Sequence, residues 1–252
     1  MLKTMTNQVQ ITSKLPCDKL SPFIESFWMM KNSSDIDEKI ITFPDGGIDL
    51  YFFHDSHIPI HISLVGLETH SQINFMPNNS ILCGVRLKLL AAEYLLHAPI
   101  AELINSRTVL NDYAELNQTD IVCFETFCEK LEQYFLSQLS EKIDPRKLKM
   151  SELVYKSKGV TTVTEVSEQA NWSSRQINRY FNKWLGLPLK TYCDILRFCN
   201  SFESLKMGLL FPEEGFTDQS HYIKLIKKYS NLTPKQLAQG KNDRFIQLSS
   251  DS

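Results

Sequence analysis

Three absences narrow the chemistry before any pattern is read. The six cysteines (17, 83, 123, 128, 193 and 199) form no CxxC pair and no zinc-ligand spacing, which argues against a structural metal and for free thiols in a reducing compartment. No Ser-His-Asp order, nucleophile elbow, paired-carboxylate motif or Gly-rich phosphate loop stands out in a chain with only 9 glycines. The expectation is a non-enzyme without a cofactor. No apolar run is long enough to span a bilayer, and the opening MLKTMTNQVQITSK has none of signal-peptide length. A cytoplasmic protein without membrane contact is therefore expected.

What is present is a packable chain with lopsided charge. Its 252 residues are 42% hydrophobic and 11% aromatic, enough for one large core or two ordinary ones. Residues 1–145 hold 10 Lys/Arg against 19 Asp/Glu, and residues 146–244 hold 17 against 9. An acidic front joined to a basic back implies two domains, 1–145 and 146–252, the second suited to a polyanion. The polar stretch SEKIDPRKLKM, from Ser140 to Met150, is where the sign changes.

The front half reads as β-rich, a small barrel or sandwich with added helices. LSPFIESFWMM is apolar and expected to be partly helical around Phe23, Ile24 and Phe27. KIITF and IDLYFF flank the turn signal Pro44-Asp45-Gly46-Gly47, and short strands are expected at His61–Gly66, Ile73–Met76 and Ile81–Leu87. Helices follow at Leu89–Ala98, Pro99–Asn105 and Asp120–Ser140. In the last, Phe124, Phe127, Cys128, Leu131, Phe135 and Leu139 make one stripe, which fits packing within the domain or a helix–helix dimer contact. Asp45 and Asp49 are read as turn or pocket residues. His54, His57 and His61 lie close together, but His54 has the wrong strand parity and Pro59 interrupts the run, so loop histidines are expected rather than metal ligands.

The back half is helical throughout and contains an internal echo. RQINRYFNKWLGLPLKTY, from Arg175, lies over SHYIKLIKKYSNLTPKQL, from Ser220, at an offset of 45 residues. In TTVTEVSEQA, Thr162 can cap a helix whose inner face holds Val163, Val166 and Ala170. Asn171 then suits a left-handed turn residue and Ser173 an N-cap. Ile177, Phe181 and Trp184 face inward by spacing, which leaves Ser174, Arg175, Asn178, Arg179, Asn182 and Lys183 outward: a helix-turn-helix with a polar outer face. Arginine pairs well with guanine and asparagine with adenine in the major groove. Lys183, Lys227 and Lys228 suit phosphate oxygens, and His221 suits a DNA-facing or helix-capping role.

Ser173…Ile177, Arg179, Phe181 and Gly186, followed by GFTDQSHYIKLIKKYSNLTPKQL from Gly215, resemble the DNA-binding domain of AraC/XylS-type transcription regulators over about Ser151 to Gln239. The resemblance implies two helix-turn-helix units bridged by a helix at about Lys190–Lys206. Their recognition helices would enter successive major grooves of double-stranded DNA. It implies base-reading positions at Arg175, Asn178 and Arg179 in the first unit, and at Gln219, Ser220 and Lys224 in the second. LSPFIESFW, PDGGIDLYF and CGVRLKLLAAEYLLHAPIAEL more loosely resemble a sensor-like domain found before such regulators, which leaves room for a small-molecule or protein effector and for a homodimer. Two departures stand out. Asn231 replaces the usual glycine, and Gly208–Glu214, with Pro212 inside it, is too short for the second unit's first helix. The expected fold class is α+β, with an all-α second domain whose second unit is shortened. The rival reading is a non-DNA-binding interaction protein with a degenerate helix-turn-helix domain.

Overall fold

A computed structural model describes residues 9–55, 60–207, 209–211 and 215–239. The front half is built on strands β1 (Val9–Lys14), β2 (Ile24–Asn32), β3 (Glu38–Thr42), β4 (Ile48–His54), β5 (His61–Val65), β6 (Gln72–Met76), β7 (Ser80–Leu87) and β8 (Arg107–Leu110). Six of these form an antiparallel sheet in the order β1-β2-β7-β4-β5-β8, while β3 and β6 pair separately. The helices are α1 (Ala91–Tyr94), α2 (Gln118–Val122), α3 (Phe124–Gln138), α4 (Pro145–Lys156), α5 (Val163–Gln169), α6 (Ser174–Leu185), α7 (Leu189–Lys206), α8 (Gln219–Ser230) and α9 (Pro234–Gln239). The architecture is α+β, a sheet-based front followed by a helical back. Among the described residues no helix is long and apolar enough to cross a membrane.

Side-chain alternation explains the layers. Register sets Phe27, Val85 and Leu50 opposite one another on one face of the large sheet, with Cys83 and Phe52 beside them. α3 covers that face, its Phe127 ring meeting Phe52 edge-on at 5.3 Å. The helix stripe Phe124, Phe127, Cys128, Leu131 and Phe135 is thus buried in its own domain, which removes it as a dimer contact. On the opposite face the β3–β6 pair covers Met30 with Ile40 and Met76. There the Trp28 ring lies flat on Gly84, where a Cβ would come within 2.3 Å of it, so only glycine fits.

Several expectations are corrected. The segment around Phe23, Ile24 and Phe27 is a tight turn and then β2, not a helix. β2 is an inner strand paired on both sides, and burial on both faces hides the two-residue period. Pro44–Gly47, read as a turn between two β-rich runs, joins two different sheets, because β3 pairs with β6 and β4 with β7 and β5. The helix expected over Asp120–Ser140 is broken at Cys123 into α2 and α3, and the one at Pro99–Asn105 reduces to a single 3-10 turn at Ala101–Leu103. β1 and β8 were not anticipated.

The two halves share one continuous apolar core. Phe43, just after β3, meets the rings of Phe198 and Phe202 on α7 at 6.0 and 5.3 Å. The helical half is therefore packed directly on the sheet half.

Candidate nucleic-acid interface

The first helix-turn-helix unit is set by caps. The Thr162 hydroxyl accepts from the Glu165 amide while the Glu165 carboxylate accepts from the Thr162 amide, which fixes the start of α5. Asn171 takes φ +50° in the turn. Ser173 and Gln176 make a second such box at the head of α6. Ile177, Tyr180, Phe181 and Leu185 are buried beneath α6, and the Trp172 ring packs on Tyr180 at 5.5 Å. Arg175, Arg179, Asn182 and Lys183 are exposed and Ser174 half-buried. Lys183 lies over the Trp184 ring at 4.9 Å.

Asn178 has different surroundings. Its amide donates to the Ser174 carbonyl at 3.1 Å, and its oxygen accepts from the Leu189 amide at 3.3 Å, the first N–H of α7. The side chain braces α6 against the connecting helix, with donor and acceptor both engaged inside the protein.

α8 repeats α6 residue for residue in its bounds. Shifted by 45, Ser174–Leu185 falls on Gln219–Ser230, the Ser173 cap on Asp218, and Gly186 on Asn231. Both end residues are left-handed, at φ +78° and +59°. Tyr222, Leu225, Ile226 and Tyr229 are buried, while Gln219, Ser220, Lys224, Lys227 and Lys228 are exposed. His221 is half-buried, its ring 5.9 Å from Phe216 and its amide capped by Asp218. Ahead of α8, Leu209–Phe211 carry no helix, and the Phe211 and Phe216 rings lie against Tyr222 at 5.9 and 4.8 Å. Gly208 and Pro212–Glu214 lie outside the described residues, as do His57, Pro59 and the tail from Gly240.

Between the halves runs a buried polar seam. The Tyr192 hydroxyl on α7 donates to the Gly46 carbonyl at 2.9 Å and is 2.7 Å from the Tyr155 hydroxyl on α4, which accepts from the Leu89 amide. Burial pushes both phenols well above their ordinary range. The Gly46 turn is held by Arg86, which pairs with Asp45 and, through both side-chain arms, with Asp49 at 3.1 and 2.9 Å. Asp45 also accepts from the Gly47 amide, so it is a turn residue locked by an ion pair. Burial, with Asp45 and Asp49 nearby, pushes the Glu68 carboxyl up to about 7. Arg86, Tyr155 and Tyr192 had no sequence signal, since their partners are tens of residues distant. Gln176 did have one, the S-x-x-Q spacing of a capping box. His54 meets Gln118 at 2.7 Å and His61 opens β5. Among the described residues no three His, Cys, Asp or Glu side chains are grouped to hold a metal.

Residues 12–109 match a family model described as a domain of unknown function, DUF6597. No curated protein matches the chain. Among solved structures the chain is similar to ToxT from Vibrio cholerae O395, at 12% identity and a TM-score of 0.43, covering 92% of this chain and 96% of that one. It is similar also to the unsaturated fatty acid bound wild-type ToxT from Vibrio cholerae strain SCE256, at 13% identity and a TM-score of 0.40, covering 94% and 97%.

Proposed function

We propose that the chain is a sequence-specific, DNA-binding transcription regulator of the AraC/XylS type. The observation that carries this reading is the repeat. Two twelve-residue helices, α6 and α8, have capped N-termini, left-handed C-caps and an outer face of Arg, Asn, Gln, Ser and Lys. In this reading Arg175 and Arg179 of α6 and Gln219, Ser220 and Lys224 of α8 meet base edges. Ser174, Asn182, Lys183, His221, Lys227 and Lys228 meet phosphates and fix register, while Ser173, its hydroxyl engaged by Gln176, sets the head of α6. Asn178 positions α6 rather than reading a base, because its amide is already engaged. Neutralised phosphates supply affinity, so binding falls as salt rises. The division of labour is a regulatory unit, residues 1–145, and a DNA-binding unit, residues 146–252, meeting at Asp144, which caps α4. An effector, small molecule or protein, would act by favouring one arrangement of the two units, in a cytoplasmic monomer or homodimer.

The test is selection of the full chain against random duplexes, titrated at two salt concentrations. Enrichment of one motif with salt-weakened binding is the expected result. Retention of no duplex at low salt would overturn it in favour of an interaction protein. One observation favours that second reading: Met207, Leu209, Leu210 and Phe211 stand exposed where the second unit's first helix would have covered apolar surface.

A further inference from the structure

The repeat places corresponding ends of α6 and α8 against one small part of the sheet domain. At the end of α6, the Ile100 amide donates to the Trp184 carbonyl at 2.9 Å. The α6 cap, Gly186, lies so close to Ala101 that a Cβ would come 2.6 Å from its carbonyl oxygen. At the end of α8, the Ser71 hydroxyl donates to the Ser230 carbonyl at 3.4 Å, and the α8 cap, Asn231, reaches the same hydroxyl at 3.5 Å. Both helices are thus held by their last turns, and their first turns, which carry Arg175 and Ser220, are left clear.

The two gripping segments are themselves tied together. Gly66 donates to the Ser106 carbonyl at 3.1 Å and the Asn105 amide to the Leu67 carbonyl at 2.9 Å. The Asn105 side chain accepts from the Thr69 amide at 2.8 Å and donates to the Thr69 hydroxyl at 2.9 Å. Asn105 sits at φ +54°, a conformation asparagine tolerates better than most residues. Gly66 permits the close approach, since a Cβ there would come 2.2 Å from the Leu103 carbonyl oxygen.

We propose that residues 66–71 and 100–106 form one yoke that sets the separation and mutual tilt of α6 and α8, with Asn105 and Ser71 as its positioning residues. Its consequence for DNA rests on the regulator reading above: the yoke fixes the spacing between two half-sites that the chain accepts. The yoke also accounts for how α8 is placed when Leu209–Phe211, ahead of it, carry no helix. The sheet domain supplies a hold at the opposite end.

The experiment measures the helices directly. Spin labels on non-natural side chains at positions 183 and 228 of the full chain report the α6–α8 distance by electron–electron resonance. The parent should give one narrow distribution. Asn105→Gly, which keeps the left-handed backbone and loses the amide, should broaden or shift it, as should Ser71→Ala. Asn105→Asp, which keeps the acceptor for the Thr69 amide, should recover part of the narrow population. Unchanged distributions in Asn105→Gly and Ser71→Ala, with parental unfolding midpoints, overturn the yoke whatever the chain does with DNA. On selected duplexes with the half-site spacing altered by single base pairs, the parent should prefer one spacing by about tenfold and Asn105→Gly should flatten that preference. A chain that retains no duplex defeats the regulator reading, and the distance distributions still decide the yoke. A selected motif only one groove long overturns the spacing consequence.

Discussion

The helices α6 and α8 share length, capped ends and pattern, yet they are supported differently. α6 has a full partner in α5, a reciprocal cap between Ser173 and Gln176, and an aromatic floor of Trp172, Tyr180 and Phe181. α8 has a one-way cap from Asp218, no helix over Leu209–Phe211, and two phenylalanine rings propped on Tyr222. Their outer faces differ in kind as well. α6 offers two arginines able to make paired hydrogen bonds, and α8 offers lysines, which act as point charges. The lesson is that a helix repeated with the same length and pattern can be held by different neighbours in its two copies.

The largest effect that would break this comparison is in the floors. Phe181 and Ile226 occupy corresponding positions and both are fully buried. Phe181→Ala should cost about 3–5 kcal/mol and Ile226→Ala about 2–5 kcal/mol in urea unfolding. Because one core runs through both units and the sheet, each should lower a single cooperative transition. A separate early transition in Ile226→Ala alone would mean that the second unit folds independently, and the shared core would not explain its persistence.

Next come the outer faces. Arg179→Ala should lose about 1–3 kcal/mol on a selected duplex and far less on random DNA, the signature of base discrimination. Lys224→Ala, its counterpart, should also lose more on the selected duplex than on random DNA, but by less, because a lysine makes no paired contact. Titration of the parent and both variants on both duplexes decides it. Equal losses for Arg179→Ala on both duplexes would remove the proposed division between the units.

The caps give a smaller effect. Ser173→Ala should destabilise by about 1 kcal/mol and Asp218→Ala by about the same or less, since each loses a helix-head acceptor. Ser173 also loses its reciprocal partner Gln176, so its cost should be the higher of the two. Chemical denaturation of the two variants side by side would show the order. A larger cost at Asp218 would mean that α8 depends on its head more than on the sheet domain.

Much of this pattern was legible in the sequence because it is local. The 45-residue echo, Thr162 and Ser173 as caps, the left-handed Asn171 and the lack of helix at Leu209–Phe211 all follow from spacing and backbone preference within a few residues. β3 to β7 were legible from β-rich runs and turn residues. What was not legible depends on distant partners. β2 reads as ambiguous because both its neighbours and both its faces are protein. Asn178 looked like a base reader because nothing local says that Leu189 would take its oxygen. The seam of Arg86, Asp45, Asp49, Tyr155 and Tyr192 joins residues far apart in the chain, and only the packed fold brings them together.

The smallest effect is at the C-caps, where the two units differ by one residue. Asn231 holds φ +59° with a side chain, while Gly186 holds φ +78° without one. Asn231→Gly relieves a modest left-handed strain, but it also gives the unfolded chain more freedom, which costs about 0.4–1 kcal/mol. The two effects oppose each other, so unfolding should shift by no more than about 0.5 kcal/mol. The reverse change, Gly186→Asn, has no such balance, because its Cβ meets the Ala101 carbonyl oxygen at 2.6 Å. A loss in Asn231→Gly well beyond that estimate would point to the contact with Ser71, the partner of the Asn231 side chain among the described residues. It would then show the second cap depending on the sheet domain as firmly as the first does, and the difference between the units would lie wholly at their heads.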